Sequence, residues 1–309
     1  MKPELSVVMP VYNEEANLEE LYRRLTAVLG GVTEAYELVF VDDGSGDASW
    51  ATIARLAAVD ARVRGLRFSR NFGHQMAFTA GVDHARGDVV VIMDSDLQDP
   101  PELIPDLIAR HREGFEVAYA VRANRAGETA FKRLSAALFY RFLRSVTRVE
   151  IPLDTGDFRL MGPRAVAAFR SLREHGRFTR GMVAWLGFTQ TGVPFDRPPR
   201  RAGRSNYPLR SMLRLATDAF TSFSLVPLQL ASWLGLLLVA GSVGLIVLRL
   251  AGAPAPPHAL LLAALGLLGG AQLLAIGLLG SYLGRIYDEV RQRPLYIVRE
   301  SIGGDPAGA

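Results

Sequence analysis

Short apolar runs alternate with amphipathic stretches along the first 120 residues of the chain. In the amphipathic stretches apolar residues recur at helical spacing, as at Leu18, Leu21 and Leu25, which predicts helices. The apolar runs are predicted to be buried strands, and they are Leu5–Met9, Leu38–Val41, Leu66–Phe68, Val89–Met93 and Val117–Ala120. Regular strand–helix alternation predicts an α/β fold in which helices cover both faces of a mainly parallel sheet.

Two long apolar segments follow near the C-terminus. Leu225–Leu248 and Ala259–Gly284 contain no charged residue, and each exceeds the ~20 residues that a helix needs to cross a bilayer. Several arginines precede the first segment and follow the second, whereas the connecting loop holds only Arg249. By the positive-inside rule, we expect a two-helix transmembrane hairpin in the plasma membrane, with both chain ends in the cytoplasm.

The charge and apolar patterns together predict four regions. Residues 1–206 form a cytoplasmic domain, 207–223 an amphipathic helix at the membrane interface, 224–284 the hairpin, and 285–309 a cytoplasmic tail. A second amphipathic stretch, Phe131–Arg144, mixes apolar and basic residues. It lies either on the membrane surface or against the domain, and the pattern alone does not decide between the two.

Composition removes several classes of protein. The chain has 309 residues, of which 49% are hydrophobic, and no cysteine. Disordered and collagen-like chains are excluded, as are disulfide scaffolds and cysteine nucleophiles. The glycine-rich signatures of dinucleotide enzymes and of P-loop nucleotidases are also absent. The net charge is +4, but the basic residues cluster beside the apolar segments, which favours an anionic lipid partner and gives no reason to expect nucleic acid.

Acidic clusters follow two of the predicted strands. In Asp94-Ser95-Asp96-Leu97-Gln98 an extended chain would place the oxygens of Asp94, Asp96 and Gln98 on one side, where they would suit Mg²⁺ or Mn²⁺. The alternative is a turn whose aspartates cap backbone groups. After another strand, a carboxylate of Asp42-Asp43 either binds a base or ribose or stabilises a strand-to-helix turn.

Six motifs then occur in a characteristic order. They are Ser6–Glu15, Val41–Ser45, Arg70–Gln75, Asp94–Pro101, Asp154–Met161 and Arg177–Gly181. In this order they resemble the family 2 glycosyltransferases of GT-A fold, and most of all the polyprenyl-phosphate glycosyltransferases, which include bactoprenol glucosyltransferases and dolichol-phosphate mannose synthase. The paired apolar segments and the Arg293-Pro-Leu-Tyr296 ending are similar to the bactoprenol branch, so the resemblance covers essentially the whole chain.

The resemblance implies roles for particular residues. Asp94, Asp96 and Gln98 would bind the metal, with Asp96 needed for catalysis, and Asp157 would act as general base or would orient a substrate. The nucleotide pocket would be lined by Pro10, Tyr12, Glu14, Asp42, Asp43, Asp94 and Ser95, with Asp43 on the base. The phosphates of donor and lipid would meet Arg122, Arg177, Arg180, Arg200 and Ser205. Asn206 stands where the family usually has a lysine.

The same resemblance implies the reaction. A hexose, glucose above all, would pass from a nucleotide diphosphate sugar such as UDP-glucose to the phosphate of a polyprenyl phosphate such as undecaprenyl phosphate. Mg²⁺ or Mn²⁺ would be the cofactor, and the chain would form a homo-oligomer in the membrane. The alternatives are another donor sugar, a non-phosphate acceptor, and a membrane scaffold without activity. For Asp157, a helix-capping or salt-bridging role is the alternative.

Overall fold

A computed structural model describes residues 2–122, 155–195 and 257–303. The chain divides into two compact units. Among the described residues, 257–293 belong to the second unit, and all the others belong to the first. The predictions for Phe131–Arg144, for residues 207–223, and for Arg200, Ser205 and Asn206 concern residues outside the described ranges.

The elements of the first unit alternate between strand and helix as far as β5. In chain order they are β1 (Leu5–Val11), α1 (Glu15–Leu29), β2 (Tyr36–Asp42), α2 (Ser49–Val59), β3 (Val63–Phe68), α3 (His74–His84), β4 (Val89–Ile92), a 3₁₀ turn (Pro101–Leu103), α4 (Ile104–Arg112), β5 (Val117–Arg122), β6 (Thr155–Met161), α5 (Pro163–Ser171), α6 (Thr179–Trp185), β7 (Gln190–Phe195) and, from the C-terminal tail, β8 (Val298–Ile302). In the second unit, the described residues form one helix, α7 (Pro257–Val290). The five predicted strands are all present.

The described strands form one eight-stranded sheet in the order β7-β5-β6-β4-β1-β2-β3-β8. Its centre is parallel, since β1 pairs with β2 and β4, and β2 pairs with β3. β6 runs antiparallel to β4 and β5, and β8 runs antiparallel to β3. The sheet is therefore mixed, with a parallel core that matches the sequence pattern and antiparallel additions that the pattern did not reveal.

Helices cover both faces of this sheet, as predicted. On one face, alternate residues of β1 such as Val7 and Met9 join a buried apolar cluster with Leu21 of α1 and Ile53 of α2. On the other face, α3 packs against β1. A Cβ built on Gly81 would lie 2.0 Å from Cγ1 of Val8, so only glycine permits this close approach of α3. The approach of α3 to the sheet places the helix N-terminus, at His74, beside the ends of the parallel strands.

The C-terminal prediction is only partly addressed by the described residues. α7 is a continuous helix of 34 residues that contains the whole predicted second span, Ala259–Gly284. Within the described ranges, no helix combines the length and apolar character needed to cross a membrane. The predicted first span, Leu225–Leu248, lies outside those ranges. The transmembrane hairpin therefore stays a prediction.

Candidate active site

The loops that follow the parallel strands are tied together around the end of β1. The backbone N–H of Asp43 donates to the carbonyl of Val11 over 2.8 Å, and Ser95 Oγ donates to the carbonyl of Pro10 over 2.8 Å. The N–H of Asn13 donates to Ser45 Oγ over 3.0 Å. These bonds bring the loops after β1, β2 and β4 together, which is where ligands bind in open parallel sheets.

The carboxylates of Asp42 and Asp43 accept hydrogen bonds from backbone N–H groups of the protein. Asp43 is buried, and its carboxylate accepts hydrogen bonds from the N–H groups of Phe72 (2.7 Å) and Gly73 (3.0 Å). Burial raises the pKa of Asp43, although these two backbone bonds act in the opposite direction. Asp42 accepts from the N–H of Ser45 over 3.0 Å. The turn-stabilising role that the sequence left open is therefore present, and contact with a nucleotide base stays a prediction.

The Asp94–Gln98 segment is not extended. β4 ends at Ile92, and Leu97 has a φ of 62°, so the chain bends within the motif. The N–H of Gln98 donates to Asp96 Oδ1 over 3.1 Å, and the N–H of Asp94 donates to Asp99 Oδ2 over 3.1 Å. The segment therefore lacks the extended backbone that would place alternate side chains on one face, and Asp96 and Asp99 accept hydrogen bonds from the backbone of their own turn.

The fit of a divalent cation to this loop depends on Asp94 and Asp96. In the part of the chain that the structure describes, no three His, Asp or Glu side chains are grouped to hold a metal. However, Asp94 Oδ1 is buried without a hydrogen-bond donor among these described residues. A buried carboxylate oxygen that accepts no hydrogen bond is costly, and its nearest cationic atom, His74 Nε2, is 3.5 Å away. Mg²⁺ and Mn²⁺ prefer oxygen ligands. Asp94 and Asp96 therefore fit a hard cation with few protein ligands.

Asp157 is the buried centre of an ion-pair network. It is carried by β6, which lies beside β4, and its side chain is 6% exposed. Arg180 Nε, from α6, donates to Asp157 Oδ1 over 3.0 Å, and His74 Nε2 lies 3.2 Å from Oδ2. Nη2 of Arg159 lies 3.8 Å from Oδ1. Burial acts to raise the pKa of Asp157, but the charges of Arg180 and His74 outweigh it and hold the pKa well below the usual range.

His74 joins the two acidic groups of the site. Its Nε2 lies 3.2 Å from Asp157 Oδ2 and 3.5 Å from Asp94 Oδ1. Burial lowers the pKa of His74, but the hydrogen bond to Asp157 and the negative charge of Asp94 overcome this effect and raise the pKa to about 9. His74 is thus a cation at neutral pH. The sequence analysis did not select it, and the only available signal was its place in the Arg70–Gln75 motif.

Arg177, Tyr12 and Glu14 have surroundings that differ from one another. Arg177 is buried with its guanidinium over the ring of Phe169, 5.0 Å from the centroid, and its Nη1 donates to the carbonyl of Leu172. Tyr12 is 52% exposed, and Glu14 accepts from Asn17 Nδ2 over 2.6 Å. The structure thus brings together Asp94, Asp157 and Arg180. Arg122 ends β5.

The fold is of the GT-A type. A solved structure of glucosyl-3-phosphoglycerate synthase from Mycobacterium tuberculosis, in complex with Mn²⁺, UDP and phosphoglyceric acid, is similar with a TM-score of 0.51. The match is 19% identical and covers 70% of this chain and 75% of that chain, which shows a shared fold. The chain belongs to glycosyl transferase family 2, whose model matches residues 6–168.

Relatives of similar length support the same membership. A bactoprenol glucosyl transferase of Shigella phage SfII is 38% identical, and the match covers 98% of this chain and 99% of the relative. The uncharacterized glycosyltransferase YkcC of Bacillus subtilis is 48% identical, over 96% of this chain and 94% of the relative. The family membership that the six motifs predicted is confirmed.

Proposed function

We propose that this protein is an inverting glucosyltransferase that moves glucose from UDP-glucose to the phosphate of a polyprenyl phosphate, such as undecaprenyl phosphate. The observation that carries the proposal is the convergence of Asp94, His74, Asp157 and Arg180 at the ends of the parallel strands. The choice of glucose as the transferred sugar and of a polyprenyl acceptor is supported by the relatives named bactoprenol glucosyl transferase, which match over nearly their whole length.

Asp94 and Asp96, with Gln98 beside them, would hold a divalent cation. Mg²⁺ or Mn²⁺, when bound, supplies Lewis-acid neutralisation of the donor diphosphate. Asp94 is suited to this role because its Oδ1 is buried without a donor among the described residues. The loop around it is tied to its surroundings, since the N–H of Asp94 donates to Asp99 and Ser95 Oγ donates to the carbonyl of Pro10 in β1. In the proposed pocket, Pro10, Tyr12, Glu14, Asp42 and Asp43 line the nucleotide.

The proposed reaction is a single displacement at C1 of the sugar, in which Asp157 would orient the nearby cationic side chains. An oxygen of the acceptor phosphate attacks C1 of the sugar, a C–O bond forms there, and the bond from C1 to the diphosphate oxygen breaks, so that UDP leaves. A phosphate monoester has a second pKa of about 6, so it is mostly dianionic at neutral pH and needs no base. Asp157 is ionised and paired with Arg180 and His74, which suits a group that orients these cations better than one that removes a proton.

The membrane part of the proposal rests on the sequence. A hairpin of residues 225–248 and 259–284 would anchor the first unit at the cytoplasmic membrane face, where the phosphate of a lipid acceptor is found. Arginines bind phosphate through a bidentate fork. Arg122, Arg177, Arg180, Arg200 and Ser205 are the proposed phosphate contacts. The glycines of the second span permit close helix packing and the formation of a homo-oligomer.

The proposal is tested with the full-length protein in detergent, Mg²⁺ or Mn²⁺, undecaprenyl phosphate and a panel of nucleotide sugars. Mass spectrometry of the lipid fraction is expected to show one added hexose with UDP-glucose, and EDTA is expected to abolish the product. Asp96→Ala should lower the yield about 100-fold, the scale of losing one transition-state contact. The matched control is Asp88→Ala, near the opposite end of the same strand, because Asp88 is 62% exposed and pairs with Lys2.

Each other outcome contradicts a definite part of the proposal. Release of UDP without modified lipid would show a different acceptor. A lipid product formed with another nucleotide sugar, and not with UDP-glucose, would show that the transferred sugar is not glucose. If the wild-type protein and Asp96→Ala are equally inactive with every donor, the protein is not this enzyme, and a scaffold role replaces the transferase role.

A further inference from the structure

We propose that the terminal segment, Pro294–Ile302, is a positioning element of the active site. Within it, Tyr296 is the residue that holds His74 in position. The inference deepens the proposed function and rests on it for its kinetic part. The Arg293-Pro-Leu-Tyr296 ending is part of the family resemblance, yet no step of the reaction above uses it. The contacts of Tyr296 and Ile297 give this ending a place in the site.

The terminal segment is part of the sheet that carries the site. β8 pairs with β3, with Gly65 opposite Ile302 and Phe68 opposite Val298. Beyond the last pair, the N–H of Ser69 donates to the carbonyl of Ile297 over 3.0 Å. The terminal segment therefore holds the first residue of the loop that leads to His74.

Aromatic rings extend this contact along the loop. The ring of Tyr296 stacks on that of Phe68, with centroids 5.3 Å apart and an interplanar angle of 16°. Phe68 in turn meets Phe72 edge to face at 5.5 Å. Phe72 and Gly73 donate their N–H groups to Asp43. One side of the loop is thus held by Asp43 and the other by Tyr296.

The hydroxyl of Tyr296 reaches the far end of α3. Tyr296 Oη donates to Asp83 Oδ2 over 2.9 Å, and Nη1 of Arg173 binds the same oxygen over 2.7 Å. Burial and the negative charge of Asp83 raise the pKa of Tyr296, so the phenol stays protonated and keeps donating. Asp83 lies next to the last residue of α3, the helix that begins with His74. Tyr296 therefore fixes both the loop before α3 and the end of α3.

The position of His74 depends on this double attachment. His74 is the first residue of α3, and its Nε2 lies within 3.5 Å of carboxylate oxygens of both Asp157 and Asp94. A shift of the loop or of the helix axis moves the imidazole away from one of them. Misplacement by about 1 Å can lower the rate of an enzyme about 100-fold, so loss of the Tyr296 ring is expected to affect turnover without any contact with substrate.

The test uses the full-length protein and two readouts. Hydrogen–deuterium exchange of residues 69–73 is expected to rise in Tyr296→Ala. Without the ring that stacks on Phe68, the loop moves more and the backbone hydrogen bonds of Ser69, Phe72 and Gly73 open more often. In the same variant kcat for hexosyl transfer is expected to fall about tenfold, whereas Tyr296→Phe, which keeps the ring, should fall only about twofold to threefold. Ile297→Ala is the matched control, because the residue is 52% exposed and its hydrogen bond to Ser69 is made by the backbone carbonyl, which the substitution keeps.

A double-mutant cycle separates positioning from general weakening. If Tyr296 acts through His74, adding Tyr296→Ala to His74→Gln should lower kcat less than about twofold further. Unchanged exchange at residues 69–73 would overturn the inference. So would a double variant in which kcat falls by the product of the two single-variant losses. An inactive wild-type protein would instead refute the proposed function, and the exchange measurement would still decide whether the terminal segment holds the loop.

Discussion

Asp157→Asn is expected to lower the rate of hexosyl transfer about 100-fold, the scale of the loss when groups of the active site are misplaced by about 1 Å. It should also lower the free energy of unfolding by about 3 kcal/mol, the usual cost of breaking a buried ion pair. The physical reason is the number of cations that this carboxylate balances. Arg180, His74 and Arg159 all lie within 3.8 Å of its oxygens.

Asparagine keeps the size of the side chain and one acceptor oxygen but removes the charge. Arg159, which is 4% exposed, would then be buried without its nearest carboxylate. The single remaining oxygen could not accept hydrogen bonds at both of the positions that Arg180 and His74 now occupy. Turnover is measured by lipid mass spectrometry, and stability by denaturant unfolding of the same preparation.

Asp60→Asn is a suitable control for the effect of losing a hydrogen-bonded ion pair outside the site. Asp60 also has a mostly buried side chain and pairs with Arg62 over 2.8 Å, but it follows α2, away from the site. We expect a loss of about 1 kcal/mol or less in stability and unchanged turnover. Turnover in Asp157→Asn within about threefold of wild type would show that the network is structural only.

Gly44→Ala is expected to lower the free energy of unfolding by about 3 kcal/mol. The same change is expected to abolish nucleotide binding. Gly44 has a φ of 71°, a conformation that costs an L-residue about 1–2 kcal/mol. An added Cβ would also lie 2.6 Å from the carbonyl carbon of Arg70 and 2.7 Å from the nitrogen of Asn71. These are backbone atoms of the loop that Asp43 holds, and overpacking of this kind costs about 1–3 kcal/mol.

Gly46→Ala provides a close comparison two residues away. No atom lies within 4 Å of a Cβ at Gly46, and its φ is not positive. We expect its stability, followed by thermal unfolding, and its UDP affinity, followed by calorimetry, to match those of wild type. Equal stability of the two variants would contradict the close approach of the loops after β2 and β3.

The sequence predicted the centre of the fold better than its edges. β1, β2 and β4 are apolar and buried on both faces, so their pattern is plain in the sequence. β6 escaped notice because Asp157 and Arg159 are buried charges within it, and they interrupt the apolar run. β8 escaped because Arg299 and Glu300 are exposed, so its identity as a strand depends on its pairing with β3.

The site was predicted as a set of residues but not as a geometry. Asp94 and Asp157 were selected through motifs, yet the bend at Leu97 depends on hydrogen bonds to Asp99 and Asp96 that no alternation rule contains. His74 was missed because its partner Asp157 is 83 positions away. A histidine at a helix start carries no sign of such a partner in the sequence.

The pairing of β8 with β3 has a consequence for biosynthesis. Phe68 and Val298 are partners in the sheet, although 230 residues separate them. At roughly 5–20 residues per second, a ribosome needs about 10–50 s to make that stretch. During this time the nascent domain exposes an unpaired strand edge, which invites association with other chains. The synthesis of β8, and not that of the catalytic loops, is therefore the step after which this edge of the sheet can pair.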